Sequence, residues 1–210
     1  NEEKITYTPA DTNYINKQLD LIEEKFLNFY PTEILSKGMP LKLILLGQLD
    51  YSSSPSHKHN IYVNFDGFAM AWGNESIDDM TAGQRNLFKT EVNQAFMERL
   101  MNEGIVKIPT AFSKVSDYDY DYDEDEMYDL GFLALYQSNA KEDFIKYVEV
   151  IVSNPKSFLE SPSEDGDTDE GILTDSKDTS ELIREKYKAV IAYFNTLGID
   201  LQKIGDTVEE

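Results

Sequence analysis

The sequence predicts an α+β fold: a small early set of strands, one long amphipathic helix, then further helices. Three observations carry this. Apolar residues recur at steps of three and four over 12–30, 80–103 and 180–197, the spacing of one helix face. Short apolar runs bounded by turn residues cluster between 41 and 72, ahead of the long helix. Strands gathered early and helices late, without alternation, point to α+β rather than to a parallel α/β sheet.

The elements follow in order. Ile15, Leu19, Ile22, Phe26 and Phe29 mark a first helix, capped by Asp11 or Thr12 and stopped by Pro31. Residues 41–46 read as a buried strand. The segment "NIYVNFDGFAMAW", 60–72, reads as two strands joined at Asp66-Gly67, a hairpin signal. The long helix covers 80–103. Thr81 and Gln84 can form a capping box, Phe88, Val92, Phe96 and Leu100 form its stripe, and Gly104 can close it. "IVKIPTAFSKVS" is a connector with a short helical piece. A helix over 141–152 ends at Asn154-Pro155, and a last one over 180–197 has the stripe Ile183, Tyr187, Val190, Ile191 and Phe194.

A chain of 210 residues with 40 % hydrophobic content, 13 Tyr and 11 Phe can bury a substantial core, so one domain over 1–210 is expected. The formal net charge of -21 repels phosphate backbones and anionic lipid surfaces, which excludes nucleic acid as a partner. There is no cysteine, so disulfides and thiolate-bound metals are excluded. No apolar run approaches the ~20 residues of a membrane helix. The chain begins at Asn1, and a trimmed or processed chain is expected, with any targeting segment upstream.

Candidate chemistry is sparse. His57 and His59, in "SSSPSHKHN", are the two histidines; at i and i+2 of a strand they would share a face and could hold zinc, but the Ser- and Pro-rich setting reads as an exposed turn. Asp165, Asp167 and Asp169 occupy positions 1, 3 and 5 of a calcium-loop pattern. Glu170 stands where that pattern needs glycine and Ser176 where it needs glutamate, so a solvated acidic loop is the default. "DYDYDYDEDEMYD", 117–129, holds eight carboxylates and four tyrosines; as a strand it would have a tyrosine face and an aspartate face, and as a loop it would be a charged apron. It and 160–178 read as acidic loop segments. Glu142 and Asp143 fall in the first turn of a helix, where they complement the helix dipole. Met97 reads as an ordinary packing or surface residue.

The order of the later segments carries a resemblance. Gly131-Phe132 to Tyr136 leads into Glu142-Asp143-Phe144-Ile145-Lys146, and the chain closes with Tyr193-Phe194 to Gly198-Ile199-Asp200-Leu201. This series resembles the zinc-binding metallopeptidase family of substrate import-associated zinc metallohydrolase lipoproteins, found beside outer-membrane nutrient-import systems of Gram-negative bacteria. The resemblance implies a zincin-like fold, that of a metalloprotease catalytic domain, with a small sheet packed on the active-site helix. It implies zinc as cofactor, held by His-Glu-x-x-His on the long helix. Setting "IPTAFSKVS" in register puts Phe96, Met97 and Leu100 on the His, Glu and His of that motif, with Glu142 and Asp143 in place of its acidic third-ligand block.

Zincin chemistry needs two imidazoles at i and i+4 to hold the metal, and the intervening glutamate to take a proton from its water. Residues 60–210 contain no histidine. The expectation is a degenerate member without resident cofactor. It would be a non-catalytic binding or accessory module of a nutrient-import system at the cell envelope, held there by a lipid anchor upstream. Its partners would be a peptide or glycan and outer-membrane import components. Two other readings stay open: a metallohydrolase using His57 and His59 with non-standard ligands, and a calcium-binding adhesion or assembly module.

Overall fold

The structure, a computed structural model, describes residues 5–50, 60–137, 139–163 and 168–209. The chain packs as two compact units, Asn1–Arg99 with Glu209–Glu210, and Leu100–Val208.

The first unit is built on a four-stranded mixed sheet. Its strands are β1 (Thr6–Pro9), β2 (Lys42–Asp50), β3 (Ile61–Val63) and β4 (Gly67–Met70), in the order β1-β2-β4-β3. β2 runs antiparallel to β1 and parallel to β4. The β3–β4 hairpin forms where Asp66-Gly67 predicted it, with Val63 opposite Phe68 and the Asn64 amide donating to the Gly67 carbonyl at 3.0 Å.

Helix α1 (Ile15–Lys25) is shorter than its stripe suggested, and its buried face is rotated: Leu19 is 44 % exposed while Gln18, Leu21, Ile22 and Lys25 are buried. Gln18 is tolerated inside because its amide donates to the carbonyls of Leu46, Met70 and Ala71 at 3.1, 2.9 and 2.7 Å. α1 ends at Lys25, ahead of a 3-10 turn over Leu27–Phe29, so Pro31 is not what stops it. Pro31 instead starts the next helix, α2 (Thr32–Gly38), because its fixed φ suits the residue ahead of a first turn.

Helix α3 (Ala82–Asn102) starts with the predicted capping box: the Gln84 amide donates to Thr81 Oγ1 at 3.2 Å, and Gln84 Oε1 accepts from the Thr81 amide at 2.8 Å. It ends at Gly104, whose φ of 70° lets the Ile105 amide reach back to the Leu100 carbonyl at 2.9 Å.

The second unit is helical: α4 (Thr110–Ser113), α5 (Ala140–Ser153), α6 (Lys156–Leu159), α7 (Leu182–Thr196) and α8 (Leu201–Asp206). Asn139 caps α5 by accepting from the amides of Lys141 and Glu142. Phe112 meets Phe144 and Tyr147 edge-on, with ring centroids 5.2 Å apart in each case, and Phe194 stacks on Phe144.

The acidic segment 117–129 forms turns rather than a strand. Tyr118 and Tyr122 both point at Phe132, and Tyr122 stacks on it at 4.4 Å. A period of four, not two, sorts this segment. Tyr118 and Tyr122 anchor it while Tyr120 and the aspartates stay in water, since ring burial stabilises and an unpaired buried carboxylate does not. Among the described residues, no helix is long and apolar enough to cross a membrane.

Candidate functional site

Two places bear on chemistry: the positions on α3 assigned to the peptidase motif, and a buried charged cluster in the second unit.

On α3, Phe96 and Leu100 are fully buried and Met97 is 2 % exposed, so Met97 is core and not surface. The Phe96 ring packs edge-to-face against Phe26 at 5.1 Å and Tyr30 at 4.7 Å. Such pairs add ~0.5–1.5 kcal/mol each to the area they bury. The Tyr30 hydroxyl donates to Asn93 Oδ1 at 2.6 Å, and the Asn93 amide donates to the carbonyls of Lys25 and Lys89. One turn before the motif positions, the helix is thus tied to α1 by polar contacts. Burial pushes the Tyr30 phenol well above its ordinary pKa. Arg99 turns away from this face, its Nε donating to the Gly38 carbonyl at 2.8 Å. The three side chains on the motif positions offer no imidazole and no carboxylate.

The buried cluster gathers Asp143 of α5, Lys186 of α7 and Tyr118 of the acidic segment. Asp143 and Lys186 are each fully buried. Lys186 Nζ donates to Asp143 Oδ2 at 2.6 Å and to the Gly131 carbonyl at 2.9 Å. The Tyr118 hydroxyl donates to the same Oδ2 at 2.8 Å, and the Tyr147 hydroxyl donates to the Gly131 carbonyl at 2.8 Å.

The rings of Phe132, Phe112, Tyr118 and Tyr147 surround Nζ at 4.3, 5.3, 5.5 and 5.6 Å. Asp143 Oδ1 is buried without a hydrogen-bond partner. Gly131 makes the geometry possible: its φ of 77° turns its carbonyl toward Nζ, and a Cβ there would meet Leu182 Cβ at 2.8 Å.

Burial raises the Asp143 pKa, opposed by the Lys186 ammonium and the Tyr118 hydrogen bond. Burial lowers the Lys186 pKa, opposed by the Asp143 charge. Both shifts favour neutral forms. Burial also raises the Tyr118 pKa, reinforced by the Asp143 carboxylate.

Asp143 lies in the first turn of α5 as the sequence predicts, and the structure adds a buried ion pair with Lys186. Glu142, its neighbour, is exposed. Two signals were available. Asp143 lies beside Phe144 on the inward face of α5, and Lys186 lies three residues after Ile183, on the stripe of α7. A charge on an apolar stripe implies an opposite charge facing it.

The other candidates contribute less. His57, His59, Asp165 and Asp167 lie outside the described residues. Asp169 is half-buried. Among the described residues, no group of three or more His, Cys, Asp or Glu is disposed to hold a metal ion.

A family model described as "Putative zinc-binding metallo-peptidase" matches residues 1–202. Among solved structures, the fold is similar to the crystal structure of a putative zinc-binding metallo-peptidase from Bacteroides caccae ATCC 43185. The TM-score is 0.60 at 16 % identity, covering 90 % of this chain and 72 % of that one. No curated protein matches the chain.

Proposed function

The chain belongs to the putative zinc-binding metallo-peptidase family, and from that premise we propose that it is a non-catalytic member of zincin-like fold that binds a ligand instead of cleaving it. One observation supports the reading: Phe96, Met97 and Leu100, on which the resemblance sets the zinc ligands and the general base, are all buried core. A zinc centre needs lone pairs from deprotonated or neutral ligands, and these side chains have none to give. Asp143 does not make up the loss. Its carboxylate is held by Lys186 and Tyr118, and one carboxylate alone does not retain the metal. The described residues therefore do not fit zinc.

In this reading the protein is an accessory module at the cell envelope, anchored by a lipid outside the sequence given and working with outer-membrane import components. Its ligand is a peptide or glycan. The net charge of -21 supports partners that are neutral or basic and disfavours nucleic acid.

A hydrolysis assay tests it: the protein, loaded with excess zinc, is incubated with a quenched fluorescent peptide library and in parallel with chelator. The expected result is no chelator-sensitive turnover. Turnover that chelator stops and that the double substitution His57→Ala, His59→Ala abolishes would replace this reading with a hydrolase built on those histidines.

A further inference from the structure

We propose that Lys186 and Asp143 join in an intramolecular amide bond, a side-chain cross-link between α7 and α5. The observations are geometric. Nζ lies 2.6 Å from Oδ2, one bond away from the carboxyl carbon. Both side chains are fully buried, and four aromatic rings close the space around Nζ.

Two groups held in contact by a rigid core react as one molecule, and such positioning raises effective concentration by orders of magnitude. In water an ammonium and a carboxylate do not condense, because hydration stabilises both charges. Here both have lost that hydration, and a neutral amide removes two buried charges at once. A desolvated lysine amine is also the form that acts as a nucleophile.

The step balances within the pair. One proton passes from Nζ to Oδ2, leaving an amine and a carboxylic acid. The Nζ lone pair attacks the carboxyl carbon and forms the new C–N bond. A second Nζ proton moves to Oδ2, the C–Oδ2 bond breaks, and Oδ2 leaves as water. Oδ1, which has no partner in the ion pair, becomes the amide oxygen.

The remaining N–H keeps the acceptor that Nζ already has, the Gly131 carbonyl at 2.9 Å. Tyr118 acts as a positioning residue: its hydroxyl holds the departing oxygen at 2.8 Å. No oxidant, cofactor or partner is required.

Denaturing intact-mass spectrometry of the folded, full chain tests this, followed by tryptic mapping. The expected mass is that of the sequence less one water. The expected linked peptide joins Glu142–Lys146 to Glu185–Lys188, with trypsin blocked at Lys186. Lys186→Arg, which keeps a cation but not a primary amine, should show the full mass of its own sequence. Tyr118→Phe should keep the pair and form the link more slowly in freshly refolded protein.

An unmodified mass after prolonged incubation of folded wild-type protein overturns the proposal. So does a water loss that mapping places in a succinimide at Asp66-Gly67 or Asp165-Gly166.

Discussion

Replacing Phe96 by histidine tests the proposed register, which sets this position on a zinc ligand, and the buried packing of the ring sets the cost. The phenyl ring is fully buried between Phe26 and Tyr30. Truncating a buried Phe to Ala costs ~3–5 kcal/mol. Histidine keeps part of the volume, so about 2 kcal/mol of lost apolar burial and ring contact remains by the same scale. A buried imidazole nitrogen without a partner adds ~1–3 kcal/mol.

The sum, about 3–5 kcal/mol, is a large fraction of the ~5–15 kcal/mol that holds a typical domain folded. At ~2–4 °C per kcal/mol for a chain of this length, Tm should fall by roughly 6–20 °C. Urea unfolding followed by far-UV circular dichroism measures the loss, with Phe96→Leu as the apolar control, which gives up the two ring pairs at ~1–3 kcal/mol but buries no polar atom. A Phe96→His protein within 1 kcal/mol of wild type, or one whose stability returns on adding zinc, would refute the reasoning. The position would then be open to a ligand and not sealed core.

Other consequences are as concrete. Asp143→Ala leaves the Lys186 side chain buried without its carboxyl partner and should cost ~3–5 kcal/mol in the same unfolding assay. Gly131→Ala forces a left-handed φ on alanine and drives its Cβ into Leu182, so a loss above ~1 kcal/mol is expected. Asp178, fully buried, accepts from the amides of Ile183 and Arg184 and from Arg184 Nε. Asp178→Ala should therefore fray the start of α7 and cost ~1–3 kcal/mol.

Alkaline pH should also unfold the protein. Burial pushes Tyr187 up to about 12, and Tyr30 and Tyr147 well above the ordinary 10. A raised folded pKa means the native state keeps a proton that the unfolded chain has released. This stabilisation is complete below the unfolded value near pH 10 and is lost as pH rises through the folded values. The phenolate absorbance of Tyr30 and Tyr147 should rise only with loss of the near-UV circular dichroism signal.

Local chemistry made much of this fold legible. Thr81 with Gln84, and Gly104 after the last turn, set the ends of α3 because each satisfies backbone groups within a few residues. Asp66-Gly67 set the hairpin for the same reason. What stayed hidden depends on distant partners. Leu19 fits the helical period but faces water, because Gln18 is drawn inward by three carbonyls of the sheet. β1 is a polar run that pairs only because β2 offers an edge.

Of the two readings of the tyrosine–aspartate segment, strand or loop, the structure has the loop, with Tyr118 and Tyr122 packed on Phe132. The site shows the same division. The absence of histidine after His59 is plain in the sequence. The ion pair of Asp143 with Lys186 bridges residues 43 apart and needs the fold to bring them together.

The central claim is that this chain keeps a metallopeptidase fold while its motif positions have become core. The most direct test is elemental analysis of protein purified without chelator, titrated afterwards with zinc and dialysed. The account predicts zinc well below one equivalent, with no saturable site on titration. One equivalent of zinc surviving dialysis would contradict it, and its loss on substituting both His57 and His59 would locate the ligands.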